Sequence, residues 1–208
     1  MMRLALPKGR NLPTTLEALR AAGLGLDGFG TNGRKLWSTV VEDDLEVLLL
    51  KDWDVPLYVE YGVADFGVVG SDVLDEMDGD LLVPARLREG GCRLSLIGPE
   101  GSLPAAGAQI RLASKYPNLA RQLVASRPWS AEIVRLSGSV ELGPLLSLTE
   151  VALDIVQTGA TLRENGLVEL EVVAEVQPCL VFNRASYQRH RERLNELVRN
   201  LEEKGQVI

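Results

Sequence analysis

Apolar residues along the chain come in short, dense runs separated by glycine, proline and charge, and their spacing alternates between the repeats of strand and helix. Residues 3–6 read as an opening strand, and Asn11-Leu12-Pro13-Thr14 then supplies a cap and an early proline ahead of Leu16 and Leu19 at helical spacing, with Gly23 as the stop. Residues 35–41 and 45–50 read as two strands around the acidic turn Glu42-Asp43-Asp44. Asp54-Val55-Pro56 opens a second helix that Gly62 stops, residues 64–70 form a buried strand, and Ser71 caps a third helix. This is the strand and helix alternation of an α/β fold.

Past Gly90-Gly91 the pattern gives a strand over 92–97, then a turn-rich stretch, 98–107, that reads as a crossing between lobes. A second α/β unit follows: a strand over 110–113, a helix after Pro117, a strand over 133–136, and a helix opening at Thr149-Glu150 with Val151, Ala152, Ile155 and Val156 apolar. Residues 168–182 read as extended. A last helix over 185–204 carries Tyr187, Leu194, Leu197, Val198 and Leu201 on one stripe and ends at Gly205. The pattern predicts two lobes, a discontinuous one from residues 1–90 plus 171–208 and a second from 91–170, with a ligand cleft between them. The apolar stripes at Val59, Val63 and along 187–201 fit either a dimer interface or the core, and the core is the better reading.

Composition narrows this to a globular chain: 208 residues, 46% hydrophobic and 25% charged. No window approaches the roughly 18 apolar residues of a spanning helix, and the first residues are too short an apolar stretch for a signal peptide, so the chain reads as cytoplasmic. Cys92 and Cys179 stand far apart and read as buried thiols, and His190 reads as a solvated side chain. One histidine builds no multi-histidine metal site, and no resident metal is predicted. The formal net charge is −7, yet residues 1–41 carry +4, leaving −11 for the remainder. The overall sign excludes general nucleic-acid binding, while the basic beginning suits a small polyanion such as a phosphorylated metabolite.

Three motifs bear on that polyanion. Gly23-Leu24-Gly25-Leu26-Asp27-Gly28 has the dinucleotide spacing, but a helical pattern precedes it where a strand is required. Asp154-Ile155-Val156-Gln157-Thr158-Gly159-Ala160-Thr161 is sharper: an acidic residue stands four positions ahead of Thr-Gly-x-Thr, at what reads as a helix-to-loop-to-helix junction. Gly159 lets the backbone approach a phosphate, Thr158 and Thr161 add hydroxyls, and Asp154 is placed to accept from sugar hydroxyls. The same tetrapeptide alone also serves as a plain helix cap. Finally, Leu6-Pro7-Lys8-Gly9-Arg10 sets two cations after a strand, and Arg34-Lys35 and Lys51 lie beside strands too. Each is an ordinary solvated charge by itself; together they support a pyrophosphate site facing the Thr-Gly-x-Thr turn.

Ala5-Leu6-Pro7-Lys8-Gly9-Arg10, the run from Asp54-Val55-Pro56 to Val69-Gly70, Tyr116-Pro117-Asn118-Leu119, and the stretch from Gly138-Ser139-Val140-Glu141-Leu142 through Thr161-Leu162-Arg163-Glu164-Asn165-Gly166-Leu167 resemble ATP phosphoribosyltransferase nearly end to end. The resemblance implies a two-lobed fold similar to type II periplasmic binding proteins. It implies transfer of the phosphoribosyl group of phosphoribosyl pyrophosphate to N1 of the adenine of ATP, the first step of histidine biosynthesis, with magnesium (Mg2+) carried by the substrate pyrophosphate. Thr158, Gly159, Ala160 and Thr161 would bind the 5-phosphate, Asp154 and Glu141 the ribose hydroxyls, and Lys8, Arg10, Arg34 and Lys51 the pyrophosphate and ATP phosphates. Lys51 stands where the family often has arginine, keeping the charge without the bidentate fork.

The length resembles the short form of the family. That form implies a separate regulatory subunit resembling histidyl-tRNA synthetase and a dimer of catalytic subunits within a hetero-oligomer, with no nucleic-acid or membrane partner. A different class remains beside this reading: a cytoplasmic two-lobed binding module that closes on an anionic metabolite without catalysis. Formation of phosphoribosyl-ATP by the purified protein discriminates the two.

Overall fold

The structure is a computed structural model that describes residues 1–26, 29, 36–40 and 44–208. It divides into two compact units, Met1–Gly90 with Gln177–Ile208, and Gly91–Val176.

The chain opens with β1 (Met2–Pro7), α1 (Leu12–Ala21), β2 (Trp37–Val40), β3 (Leu45–Leu50), α2 (Val55–Glu60), β4 (Phe66–Gly70), α3 (Ser71–Met77) and β5 (Leu82–Arg86). The second unit contributes β6 (Cys92–Gly98), β7 (Gln109–Ser114), α4 (Pro117–Ala125), β8 (Ser130–Arg135), α5 (Leu142–Leu145), β9 (Val151–Val156), α6 (Ala160–Glu164) and β10 (Val168–Val176). The first unit is then completed by β11 (Pro178–Phe182), α7 (Arg184–Arg189) and α8 (Arg191–Glu203).

Among the described residues the first unit holds a six-stranded sheet in the order β2-β3-β1-β4-β11-β5. Its centre, β3-β1-β4, is parallel and buried on both faces, which explains why these strands read as unbroken apolar runs. Side chains alternate across it. Leu4, Leu6, Phe66, Val68, Leu180 and Phe182 face α1 and α8, whose Leu12, Leu16, Leu19, Leu194, Leu197 and Leu201 close that side. Ala5, Val69, Cys179 and Val181 face α2 and α3 through Val55, Val59 and Val73. The stripe along 187–201 is therefore core, as is Val59, whereas Val63 is 44% exposed.

The second unit holds a five-stranded sheet, β10-β6-β9-β7-β8, in which β7 runs parallel to β8 and β9 while β6 is antiparallel to both of its neighbours. The segment read from the sequence as a helix opening at Thr149-Glu150 is the strand β9. Val151, Ala152 and Leu153 are each 0% exposed, and a strand buried on both faces loses the alternation that would have distinguished it from a buried helix. Residues 98–107, read as a crossing between lobes, link β6 to β7 within this one sheet. The chain leaves the second unit after Val176, because β10 stays paired to β6 until Val176 meets Cys92.

Three other expectations change. Asn11 makes no side-chain cap for α1; its amide donates to the Gly90 carbonyl at 3.0 Å. The residue capping α3 is Gly70, and Ser71 is occupied by Gln177, donating its amide to the Gln177 carbonyl at 2.9 Å while its hydroxyl accepts from the Gln177 amide at 3.2 Å. The last helix is broken at His190 into α7 and α8, with Asn183 capping α7 by accepting from the Ser186 amide at 2.9 Å. Among the described residues no helix is long and apolar enough to cross a membrane.

Candidate active site

Parallel strands leave their carboxyl ends on one edge of the sheet, and the loops that follow carry the side chains that meet ligands. In the first unit this edge follows β1 and β3, whose last register pair is Pro7 with Leu50. Lys8, Gly9 and Arg10 emerge from one strand and Lys51 from the next, all exposed. The Lys8 amide donates to the Leu50 carbonyl at 2.8 Å, so Lys8 and Lys51 are held at the same level. Gly9 has φ +137, a conformation that favours glycine, and a Cβ there would meet nothing within 4 Å. Arg34 lies outside the described residues, as do Lys35 and the end of the glycine-rich stretch from Gly23. The described part of that stretch follows helix α1, the order that already excludes a dinucleotide fingerprint.

In the second unit the same kind of edge follows β8, β7 and β9. Asp154 sits in β9 itself, so the junction ahead of Thr-Gly-x-Thr is strand to loop to short helix, not helix to loop to helix. Asp154 lies between Ala152 and Val156 on the alternating face of the strand. Those two residues belong to one apolar cluster with Ile97, Ala113, Val140, Leu162 and Leu167. Val140 is the neighbour of Glu141, and Leu162 the neighbour of Thr161. The cluster thus anchors the Glu141 loop and the Thr-Gly-x-Thr turn on the sheet face that carries Asp154, and the structure brings these predicted substrate-binding residues together.

In the turn itself Gly159 adopts the left-handed conformation, φ +69, at the position before α6. A carbonyl oxygen facing an anion would repel it, and two carbonyls of the turn are engaged: Thr158 accepts from the Arg163 guanidinium at 3.1 Å and Thr161 from the Asn165 amide at 2.8 Å. The Thr158 hydroxyl accepts from the Ala160 amide at 3.4 Å. Thr158, Ala160 and Thr161 are exposed and Glu141 half-buried. Helix α6 has only 5 residues, too short for its dipole to contribute much at its start.

One residue at this edge was passed over in the sequence. Lys115 follows β7 directly, and its ammonium stands 4.0 Å from the Asp154 carboxylate and 4.8 Å from the centroid of the Tyr116 ring. The signal was available: a cation immediately after a strand is the rule that selected Lys8 and Lys51. By register both cysteines stand at the level of these strand ends, Cys179 opposite Val69 in the first sheet and Cys92 next to the pair of Arg93 with Val156 in the second, while the histidine is at the start of β4. Cys179 is buried in β11 while Cys92 is only half-buried, and His190 is not solvated but partly buried, 3.9 Å from Asp65.

The HisG family, ATP phosphoribosyltransferase, matches residues 51–203. The chain belongs to the ATP phosphoribosyltransferase family. It is 40% identical over 205 residues to the ATP phosphoribosyltransferase of Geobacter metallireducens, covering 97% of each chain. Its fold matches a chain of the ATP phosphoribosyl transferase (HisG:HisZ) complex from Thermotoga maritima with a TM-score of 0.80 at 32% identity, covering 98% of this chain and 97% of that one. The periplasmic aliphatic sulphonate binding protein SsuA from Escherichia coli matches with a TM-score of 0.65 at 11% identity, over 98% of this chain and 72% of that one, which shows a shared fold. The two-lobed α/β architecture is thus the periplasmic-binding-protein-like one that the family resemblance implies. A binding module without catalysis retains only that fold-level likeness.

Proposed function

We propose how this chain divides the work of its family's reaction, the transfer of the 5-phosphoribosyl group from phosphoribosyl pyrophosphate to N1 of the adenine of ATP, which opens histidine biosynthesis. Displacement at an anomeric carbon builds positive charge on the ribose and negative charge on the departing pyrophosphate. The protein must therefore hold two nucleotide-like substrates in line and stabilise the leaving group, and it needs no covalent nucleophile. Thr158, Gly159, Ala160 and Thr161 hold the 5-phosphate, and Asp154 with Glu141 accepts from the ribose hydroxyls. Lys8, Arg10, Arg34 and Lys51 neutralise the pyrophosphate and the ATP phosphates. Magnesium enters as part of the substrate, on the pyrophosphate oxygens.

The observation that supports this division is the apolar cluster of Val140, Ala152, Val156 and Leu162, which sets the Glu141 loop and the phosphate turn around Asp154. The test separates the two substrates. Thr161→Ala is expected to raise the KM for phosphoribosyl pyrophosphate about tenfold or more and to leave the KM for ATP within twofold, since the lost donor touches only the phosphoribosyl group. An equal rise for both substrates overturns the assignment.

The partner follows the same reading. The Thermotoga maritima relative is described as a HisG:HisZ complex. We infer that this chain too works in the cytoplasm as a dimer of catalytic subunits joined to a regulatory subunit resembling histidyl-tRNA synthetase. Activity that becomes sensitive to histidine only when such a subunit is added supports this, and histidine sensitivity of the chain alone contradicts it.

A further inference from the structure

Strands β7 and β9 run parallel with Leu112, Ala113 and Ser114 opposite Val151, Ala152 and Leu153, so one step further the register sets Lys115 opposite Asp154. A single buried hydroxyl fixes that step. Ser114 Oγ donates to the Leu153 carbonyl at 2.8 Å and accepts from the Tyr116 amide at 2.9 Å, tying the residue before Asp154 to the residue after Lys115. Ser114 is 0% exposed, which shields both bonds from water. The side chains then meet: the Lys115 ammonium lies 4.0 Å from Asp154 Oδ1, with 26% and 21% of the two side chains exposed. The same ammonium lies over the ring of Tyr116, a residue that is 0% exposed. A lysine flanked by a carboxylate and an aromatic face gives up much of the rotamer freedom that makes surface ion pairs weak.

We propose that Lys115 is a positioning residue of the phosphoribosyl site: its ammonium holds the Asp154 carboxylate toward the ribose hydroxyls and offsets that carboxylate's repulsion of an incoming polyanion. The inference rests on the reading of Asp154 as a ribose ligand. Phosphoribosyl pyrophosphate carries negative charge at both ends, and an aspartate between them repels it unless a cation stands alongside. ATP, bound elsewhere by this reading, does not sense the change.

The experiment measures steady-state KM for each substrate in Lys115→Met, Lys115→Arg, Asp154→Asn and the Lys115→Met/Asp154→Asn double variant, with thermal melting of each. Lys115→Met is expected to raise the KM for phosphoribosyl pyrophosphate about tenfold with the KM for ATP unchanged, and Lys115→Arg to restore it to within about threefold. In the Asp154→Asn background, loss of Lys115 is expected to change that KM by less than about twofold, because the repulsion it offsets is gone. The inference is overturned if Lys115→Met changes the KM for phosphoribosyl pyrophosphate by less than twofold, raises both KM values together, or adds its full effect to that of Asp154→Asn. If Lys115→Met does not fold, Lys115→Gln, which keeps a polar group over the ring, carries the same comparison. Thr161→Ala distinguishes the two levels. Where it raises the KM for phosphoribosyl pyrophosphate and Lys115→Met does not, Lys115 is out of the site and the site stands; where Thr161→Ala and Asp154→Asn act equally on ATP, the site assignment fails and takes the inference with it.

Discussion

The Lys8 amide donates to the Leu50 carbonyl at 2.8 Å, and this bond makes Lys8 and Lys51 neighbours at the end of two parallel strands. Cationic side chains that leave neighbouring strands at one level repel wherever their charged ends approach, and an anion over them relieves this. If that anion is pyrophosphate, Lys8→Met and Lys51→Met each lower kcat about tenfold or more, less than the 10²–10³ of a desolvated donor because both side chains reach water. The double variant loses less than the product of the two, since both act on one group. Phosphoribosyl-ATP formation followed by ultraviolet absorbance decides it, and an unchanged kcat in both single variants removes the pair from the mechanism.

Gly67 is required for packing rather than for its dihedral freedom. A Cβ at this position would lie 2.8 Å from the Ala5 carbonyl oxygen and 3.1 Å from methyl groups of both Val55 and Val59. The backbone oxygen of a central strand has nowhere to move, so Gly67→Ala is expected to cost about 1–3 kcal/mol. At roughly 2–4 °C per kcal/mol for a chain of this size, the loss is visible in a thermal melt. A Tm within about a degree of the parent shows that β1 and α2 yield more than the packing suggests.

Glu169 makes stability depend on pH. Arg93 grips both of its oxygens at 2.8 and 2.9 Å and the Ser95 hydroxyl donates at 2.6 Å. The Arg93 guanidinium holds this carboxyl below its ordinary value of 4.5, against the opposing effect of partial burial, with Ser95 assisting. The folded state therefore favours the ionised form: the contribution is full above the ordinary value and disappears as pH falls through the lower, folded one. Melting curves of the parent and of Glu169→Gln are expected to differ near neutrality and to converge progressively as pH falls below the ordinary carboxyl value of 4.5. A gap that stays constant with pH assigns the effect to shape and not to charge.

Burial in β11 pushes the Cys179 thiol up to about 11. At pH 8 only about one molecule in a thousand then carries the thiolate that alkylating reagents attack. Mass spectrometry after iodoacetamide treatment is expected to find Cys179 unmodified in the native protein and modified in denaturant, with the half-buried Cys92 reacting first. Equal native reactivity of the two thiols contradicts the packing around Val69 and Val181.

The parts of the fold that could be read in the sequence are those where one face is polar or a glycine marks the end. Helix α1 with Leu16 and Leu19 and the stripe from Leu194 to Leu201 show their periodicity openly, and β1 reads as a short apolar run closed by Lys8-Gly9. Strand β9 did not, because Val151, Ala152 and Leu153 are buried on both sides and its spacing mimics a helix. Strand β5, with Val83 46% exposed and Pro84 beside it, gives no alternation strong enough to mark it. At the site, Thr-Gly-x-Thr and the post-strand lysines were visible as local motifs. The nearness of Lys115 to Asp154 was not, since it arises from the pairing of β7 with β9, and a register between strands about forty residues apart leaves no trace in local spacing.

The first unit is interrupted between Gly90 and Gln177, and β11 enters its sheet between β4 and β5. During synthesis, β4 and β5 are made early but cannot pair with their shared neighbour until the whole of the second unit has left the ribosome. The second unit has no such wait: its first strand meets its last where Cys92 pairs with Val176, and its sheet is built from one continuous stretch of chain. The Thr-Gly-x-Thr turn and Asp154 are thereby in the portion of the enzyme able to mature first, while the facing edges of β4 and β5 depend on a strand translated later and stay open to mispairing until it arrives.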